Sequence, residues 1–253
     1  MAVIANRYNT GLPFLGGRSI CFSCNTQLQN KDLFPIFSFL FLKGRCRYCQ
    51  SKIPKETIII EILIGVLTLL AFLKFGLSLN FVLIAAIFAN ILLISVYDLK
   101  HFIIPDSFLI SLFILSFLHN SLFIIHNSLS LASYLISLVS GIFLTLPFLL
   151  IFFISKGAWM GLGDVKYIAV LGFFLGFIQG LSAIVLAFWI GAAFSLIALF
   201  LKKIAPHINL PLLNKSPTIK SEIPFGPFLS LGIIISFYLG LDLFQIHELF
   251  NVL

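Results

Sequence analysis

The chain has 253 residues, of which 60% are hydrophobic and only 10% charged, and its mean hydropathy is +1.12. Thirty phenylalanines and repeated Leu/Ile runs leave too few polar side chains to cover a water-soluble globule, so a soluble domain is excluded and lipid is the main solvent. The net charge of +7 does not signal nucleic acid, because the basic residues fall in short segments between apolar runs and form no contiguous face.

Residues 1–57 are the one long polar stretch, and they carry all four cysteines and eight of the sixteen Lys/Arg residues. Met1 to Gly11 shows no cleavable signal-peptide pattern. Cys21-Phe-Ser-Cys24 and Cys46-Arg-Tyr-Cys49 are two C-x-x-C pairs separated by 21 residues. Each pair lets one tight turn offer two thiolates, and two such knuckles make the tetrahedral sulfur site that Zn2+ prefers. Four protein sulfurs leave no open position for water, so the expected zinc is structural. Two disulfides are the competing reading, at odds with the reducing compartment to which the charge pattern below assigns the module.

Apolar runs follow at 58–74, 79–97, 107–125, 131–154, 167–201 and 225–246. Each is near the ~20 residues that a helix needs to cross a bilayer, except 167–201. That run would make a helix of roughly 52 Å against a hydrocarbon core of about 30 Å, so it is predicted to fold back near Gln179-Gly180. The expected architecture is therefore an all-α polytopic membrane protein: a small four-cysteine zinc module at 1–57, then about seven transmembrane helices over 58–253. With the loops placed alternately on two sides, fifteen of the sixteen Lys/Arg residues share the module's side and Lys74 alone lies opposite. The positive-inside rule makes that side the cytoplasm.

The nine acidic residues can be weighed one by one. Asp98 closes the run 79–97, and Asp164 sits in Gly161-Leu-Gly163-Asp-Val-Lys166 where the next long run begins. Both are expected at the cytoplasmic edge, where two helices could bring their carboxylates together and water can enter. Two adjacent carboxylates cannot easily both ionise, so one acts as base and the other as acid, the arrangement of aspartic proteases. Gly161 and Gly163 would let the backbone turn and approach a substrate strand. Asp106, after Pro105 and before an apolar run, reads as a helix N-cap. Taken alone, Asp164 could instead pair with Lys166 or cap its helix. Glu61, inside the first apolar run, either snorkels or is functional. His101 and His119 have no partner spaced for catalysis and read as structural.

Together these blocks resemble the type IV prepilin peptidases, membrane aspartyl peptidases of the Gly-x-Gly-Asp type. The resemblance rests on the two cysteine knuckles with Gly44-Arg-Cys-Arg47, on Asp98 with Ile104-Pro-Asp106, on Gly161-Leu-Gly-Asp-Val-Lys166, and on Ile223-Pro-Phe-Gly-Pro-Phe228, in that order. It implies a bacterial inner-membrane enzyme with Asp98 and Asp164 catalytic and Gly161, Gly163 and Lys166 in the supporting loop. Its implied substrates are prepilins and pilin-like membrane proteins, whose basic leaders are cut at the cytoplasmic edge. For members with the cysteine module it also implies methylation of the new N-terminus with S-adenosylmethionine, although no residue pattern here outlines a methyl-donor site. Members usually carry one further membrane helix before the module, whereas this sequence opens at Met1-Ala-Val-Ile-Ala-Asn-Arg7, leaving two readings: seven crossings, or a start further upstream. The rival function is a membrane scaffold or transporter subunit that binds a partner through its zinc module. That rival accounts for the cysteines but not for the aspartates.

Overall fold

The computed structural model describes residues 19–21, 23–34, 36–126, 131–204 and 224–243. Expectations that fall on the Met1–Arg7 stretch, on the loop with Lys215 and Lys220, or beyond residue 243 lie outside the described residues. The described residues form seven α-helices, a 3-10 turn at Asn30–Asp32 and two isolated β-bridges, with no strand among them. The helices are α1 (Phe37–Phe41), α2 (Lys55–Phe75), α3 (Leu79–His101), α4 (Asp106–His126), α5 (Leu131–Ser155), α6 (Leu162–Ile204) and α7 (Gly226–Leu239). The chain is all-α with a cysteine cluster near its N-terminus. It divides into two compact units, Met1–Leu93 and Ile94–Leu253.

Four helical stretches are long and apolar enough to cross a membrane: Glu56–Phe75, Leu79–His101, Tyr134–Ser155 and Leu162–Leu201. Asp106–Leu122 and Gly226–Leu239 are shorter apolar helices. In the first unit, α2 starts after Pro54 and ends at Gly76, whose φ of 60° lies in the region that glycine adopts without strain. The Ser78 hydroxyl then accepts the Phe81 N–H at 3.2 Å and starts α3.

The second unit is built around α6, which packs against α4, α5 and α7. The 43 residues assigned to α6 are interrupted at Gly176 (φ 77°, ψ 179°). There the chain reverses: a Cβ on Gly180 would stand 3.5 Å from the Gly172 Cα, although residues eight apart in one continuous helix are separated by about 12 Å. The fold-back predicted near Gln179-Gly180 thus occurs four residues earlier than Gly180. Gly176 takes the left-handed φ of the turn, while Gly180 supplies the bare surface on which the two halves meet. A reversal in an apolar setting frees backbone carbonyls that water cannot reach. One of them, the Phe173 carbonyl, accepts the side-chain amide of Asn120 of α4 at 2.9 Å; beyond the turn, the Ser236 hydroxyl of α7 donates to the Gln179 carbonyl at 2.8 Å and ties the second half of α6 to α7. Within the described residues of the last apolar run, predicted over 225–246, the helix ends at Leu239, where Gly240 in the αL conformation caps it. Buried Tyr167, Ile168, Leu171, Ile184, Leu229 and Ile233 form the core of this unit.

Candidate active site

Asp98 lies in the last turn of α3 and is 4% exposed. A carboxylate buried there meets the negative end of the helix dipole, and such a group is costly without a specific donor. Its donor is the backbone N–H of Gly226, which gives a hydrogen bond to Asp98 Oδ2 at 3.0 Å from 128 residues away. A Cβ at Gly226 would fall 2.6 Å from that same oxygen, so only glycine lets this N–H approach the carboxylate. Pro227 follows at the first turn of α7, where its missing N–H costs nothing.

Asp164 is the third residue of α6, and its carboxylate reaches back to the backbone N–H of Gly161. The Gly161 carbonyl in turn accepts the Val165 N–H at 3.4 Å, so Gly161 is the N-cap and Asp164 the acid of a half capping box. Asp164 is half-buried, more open to water than Asp98. The two carboxylates, 66 positions apart in the sequence, lie close enough to interact electrostatically. Gly163 does not leave a bare surface for a substrate strand: a Cβ there would stand 3.1 Å from the Ile104 Cβ, so the glycine lets the start of α6 touch the Ile104 turn.

Lys166 and Asp106 take different places from those expected. The Lys166 ammonium contacts Asp106 at 2.8 and 2.9 Å, so it pairs with Asp106 and not with Asp164. Asp106 is the first residue of α4, and the capping carbonyl, which accepts the N–H groups of Phe108 and Leu109, belongs to Pro105. With Pro supplying the cap position, the acid one residue later is free to tie the Ile104-Pro-Asp106 turn to the start of α6. Side-chain exposures of 44% and 64% make this pair worth on the order of 0.5 kcal/mol.

Sequence reasoning missed Tyr167 and Ser230, and it singled out the block that holds Gly226 without giving that glycine a role. The Tyr167 side chain is fully buried, and its hydroxyl meets the Ser230 hydroxyl at 2.9 Å; Ser230 also donates to the Gly226 carbonyl at 2.9 Å. Both aspartates act electrostatically on Tyr167. Ser230 lies one turn after Gly226, and that spacing is the one sequence signal that could have suggested the link.

In the first unit the four cysteine sulfurs lie within 4.8 Å of one another, and all four thiols are free. Cys21 and Cys49 sulfurs are 3.8 Å apart, the separation that a tetrahedron with ~2.3 Å Zn–S bonds requires. The two knuckles repeat one backbone design. Cys21 N–H donates to the Thr26 carbonyl and Asn25 N–H to Cys21; Cys46 N–H donates to Ser51 and Gln50 N–H to Cys46. Asn25 and Gln50 share a positive φ, 54° and 57°. Backbone N–H groups of Cys24 and Ser23 draw the Cys21 thiol down to about 6, so it is a thiolate ready for a metal at neutral pH. Asp32 braces the second knuckle through Arg47 Nε at 2.7 Å.

The chain matches the bacterial peptidase A24 N-terminal domain over residues 1–75 and the type IV leader peptidase family over residues 85–196. It is 30% identical over 227 residues to a prepilin leader peptidase/N-methyltransferase of Legionella pneumophila, covering 88% of this chain and 72% of that protein. The chain belongs to the type IV leader peptidase family. Other members of this peptidase family are comparably similar. One from Bacillus subtilis, also named prepilin leader peptidase/N-methyltransferase, is 28% identical over 90% of this chain and 84% of its own length. A type 4 prepilin-like proteins leader peptide-processing enzyme of Escherichia coli is 29% identical over 94% and 80% respectively. No solved structure matches the chain.

For a peptidase built this way, Asp106→Asn is expected to retain substantial cleavage, within a few-fold of the parent, because the lost ion pair is exposed and asparagine is tolerated at a helix start. An initial-rate assay on a prepilin checks this, and a loss as complete as that of a site aspartate would give Asp106 a direct part in the reaction.

Proposed function

We propose that this peptidase cuts the leader from prepilins and pilin-like membrane proteins with Asp98 and Asp164 as its catalytic pair. The observation that carries the reading is a buried carboxylate held by a single backbone N–H, electrostatically coupled to a second, half-buried carboxylate. One carboxylate takes a proton from a water between them as that water attacks the scissile carbonyl. The other, protonated, hydrogen-bonds the developing oxyanion and then supplies the leaving amine with its proton. Gly226 N–H holds Asp98 in its rotamer, and the Tyr167–Ser230 pair holds the Gly226 turn. The Asp106–Lys166 pair and the Gly163–Ile104 contact keep the helix ends that carry the aspartates in register.

In this reading the chain crosses the membrane seven times, with α6 contributing two crossings and the 1–57 module and both aspartates at the cytoplasmic face of a bacterial inner membrane. The lopsided Lys/Arg distribution supports that orientation. The four cysteines hold one structural Zn2+, which supplies cross-linking and no chemistry. The names of relatives add an N-methyltransferase; in this reading it methylates the trimmed N-terminus with S-adenosylmethionine as the methyl donor, as the family resemblance implies, and no described residue is assigned to it.

Incubation of the membrane-reconstituted protein with a prepilin and a methyl-labelled donor tests the whole reading. Cleavage with label in the mature product is the expected result, cleavage without label removes the methyltransferase, and no cleavage by a folded protein overturns the peptidase. Replacing Cys21 and Cys24 by serine is expected to abolish zinc binding, measured by atomic absorption, and to reduce methylation more than cleavage.

A further inference from the structure

The segment just before the second knuckle carries an apolar ridge that no described residue covers. Phe34, Phe37, Leu40 and Phe41 are 63%, 61%, 62% and 83% exposed. Residues 37, 40 and 41 share one face of α1, with Phe34 one turn earlier. The opposite face is occupied: a Cβ on Gly44 would stand 3.0 Å from the Phe39 ring, and Gly44 N–H donates to the Phe39 carbonyl at 2.8 Å. So five residues that are too few to hold a helix alone are pinned to the knuckle on one side and present a greasy edge on the other.

The depth of that edge is set by Glu61. Its carboxylate accepts the Ile36 N–H at 2.8 Å, at a backbone position with a φ of +62°, which an isoleucine does not adopt unaided. Glu61 therefore does not snorkel toward water; it holds the elbow that starts α1. It stands six residues beyond Lys55, the first residue of α2, or about 9 Å along the helix axis. The stretch Glu56–Phe75 is apolar enough to cross a membrane and only 17% of its window is buried in protein, with Ile59, Ile62 and Leu63 exposed at the level of Glu61. A segment docked about 9 Å down such a helix lies in the band between headgroups and acyl chains, where amphipathic segments bury roughly 5–10 Å. Exposed Lys31 precedes the ridge and exposed Lys43 and Arg45 follow it, matching the anionic headgroups of that band.

We propose that the ridge of Phe34, Phe37, Leu40 and Phe41 is a membrane-interface foot: it seats in the outer acyl region of the lipid leaflet and, through Glu61, sets the height of the cysteine module on that surface. The occupant is lipid, because lipid already surrounds α2 at this level. The foot is independent of which residues perform the peptidase reaction.

The test uses the full chain in phosphatidylethanolamine/phosphatidylglycerol vesicles, with Trp159→Phe and Trp189→Phe removing the native indoles and Phe41→Trp adding one to the ridge. The expected result is quenching by lipids brominated near the headgroup end of the acyl chain, at least twofold stronger than by lipids brominated near the methyl end, with little quenching by aqueous iodide. Glu61→Leu should make the indole at position 41 iodide-accessible, whereas Glu61→Gln, whose amide oxygen still accepts the Ile36 N–H, should keep it in lipid. Free access to iodide in the Glu61 parent overturns the proposal. So does protection from both quenchers, which would mean that protein, a second copy or a bound substrate, covers the ridge. If Glu61→Leu does not fold, as judged by loss of its thermal transition, the Glu61 parent decides by itself.

Discussion

Asp98→Asn and Asp164→Asn are each expected to lower prepilin cleavage by at least about 10³-fold while the protein stays folded. Asparagine keeps the shape of the side chain and an oxygen that can accept the Gly226 or Gly161 N–H, so the local hydrogen bonds survive. What disappears is the ability to take up or release a proton. Because the Asp98 carboxylate is buried at a helix C-terminus, its neutral replacement removes a desolvation cost, and the thermal midpoint should hold or rise. The double variant should be no slower than the worse single one, since two groups that share one proton act as a unit. Single-turnover cleavage in proteoliposomes measures these effects. Parental rates from either variant would remove that residue from the reaction.

The second large effect concerns a residue without a reactive group. Gly226→Ala is expected to cut the cleavage rate by about 10²-fold with substrate binding nearly unchanged. The added methyl would stand 2.6 Å from Asp98 Oδ2 and 3.2 Å from its Cγ, distances that force the carboxylate to another rotamer or push the Gly226 turn away. Either response breaks the 3.0 Å bond that holds Asp98. The signature is a fall in kcat at constant KM. A parental kcat would show that Asp98 does not depend on this approach for its position, and a collapse of the thermal transition would assign Gly226 to folding instead.

How much of the site was legible depended on separation along the chain. The cysteine cluster was readable because each knuckle is a four-residue pattern whose spacing already places two sulfurs on one turn. Pro105 and Gly161 mark helix starts by equally local rules, although Pro105 itself took the cap position assigned to Asp106. The reversal within residues 167–201 followed from length against bilayer thickness, but its position did not. Several glycines could make the turn, and the choice of Gly176 depends on Gly172 meeting Gly180 and on Asn120 reaching the Phe173 carbonyl. Glu61 was visible as an acid in an apolar run, yet its partner is a backbone N–H, which has no sequence signature.

Composition and local spacing by themselves determined that this protein is helical, lives in lipid and carries a four-thiol metal-type cluster, because hydropathy, helix pitch and tight turns are short-range properties. Only the tertiary structure decided that Asp98 is held by Gly226, that Lys166 turns to Asp106, and that Tyr167 and Ser230 stand behind the site. Those contacts join residues 60 to 128 positions apart, and such pairings depend on how helices pack, which no local pattern encodes.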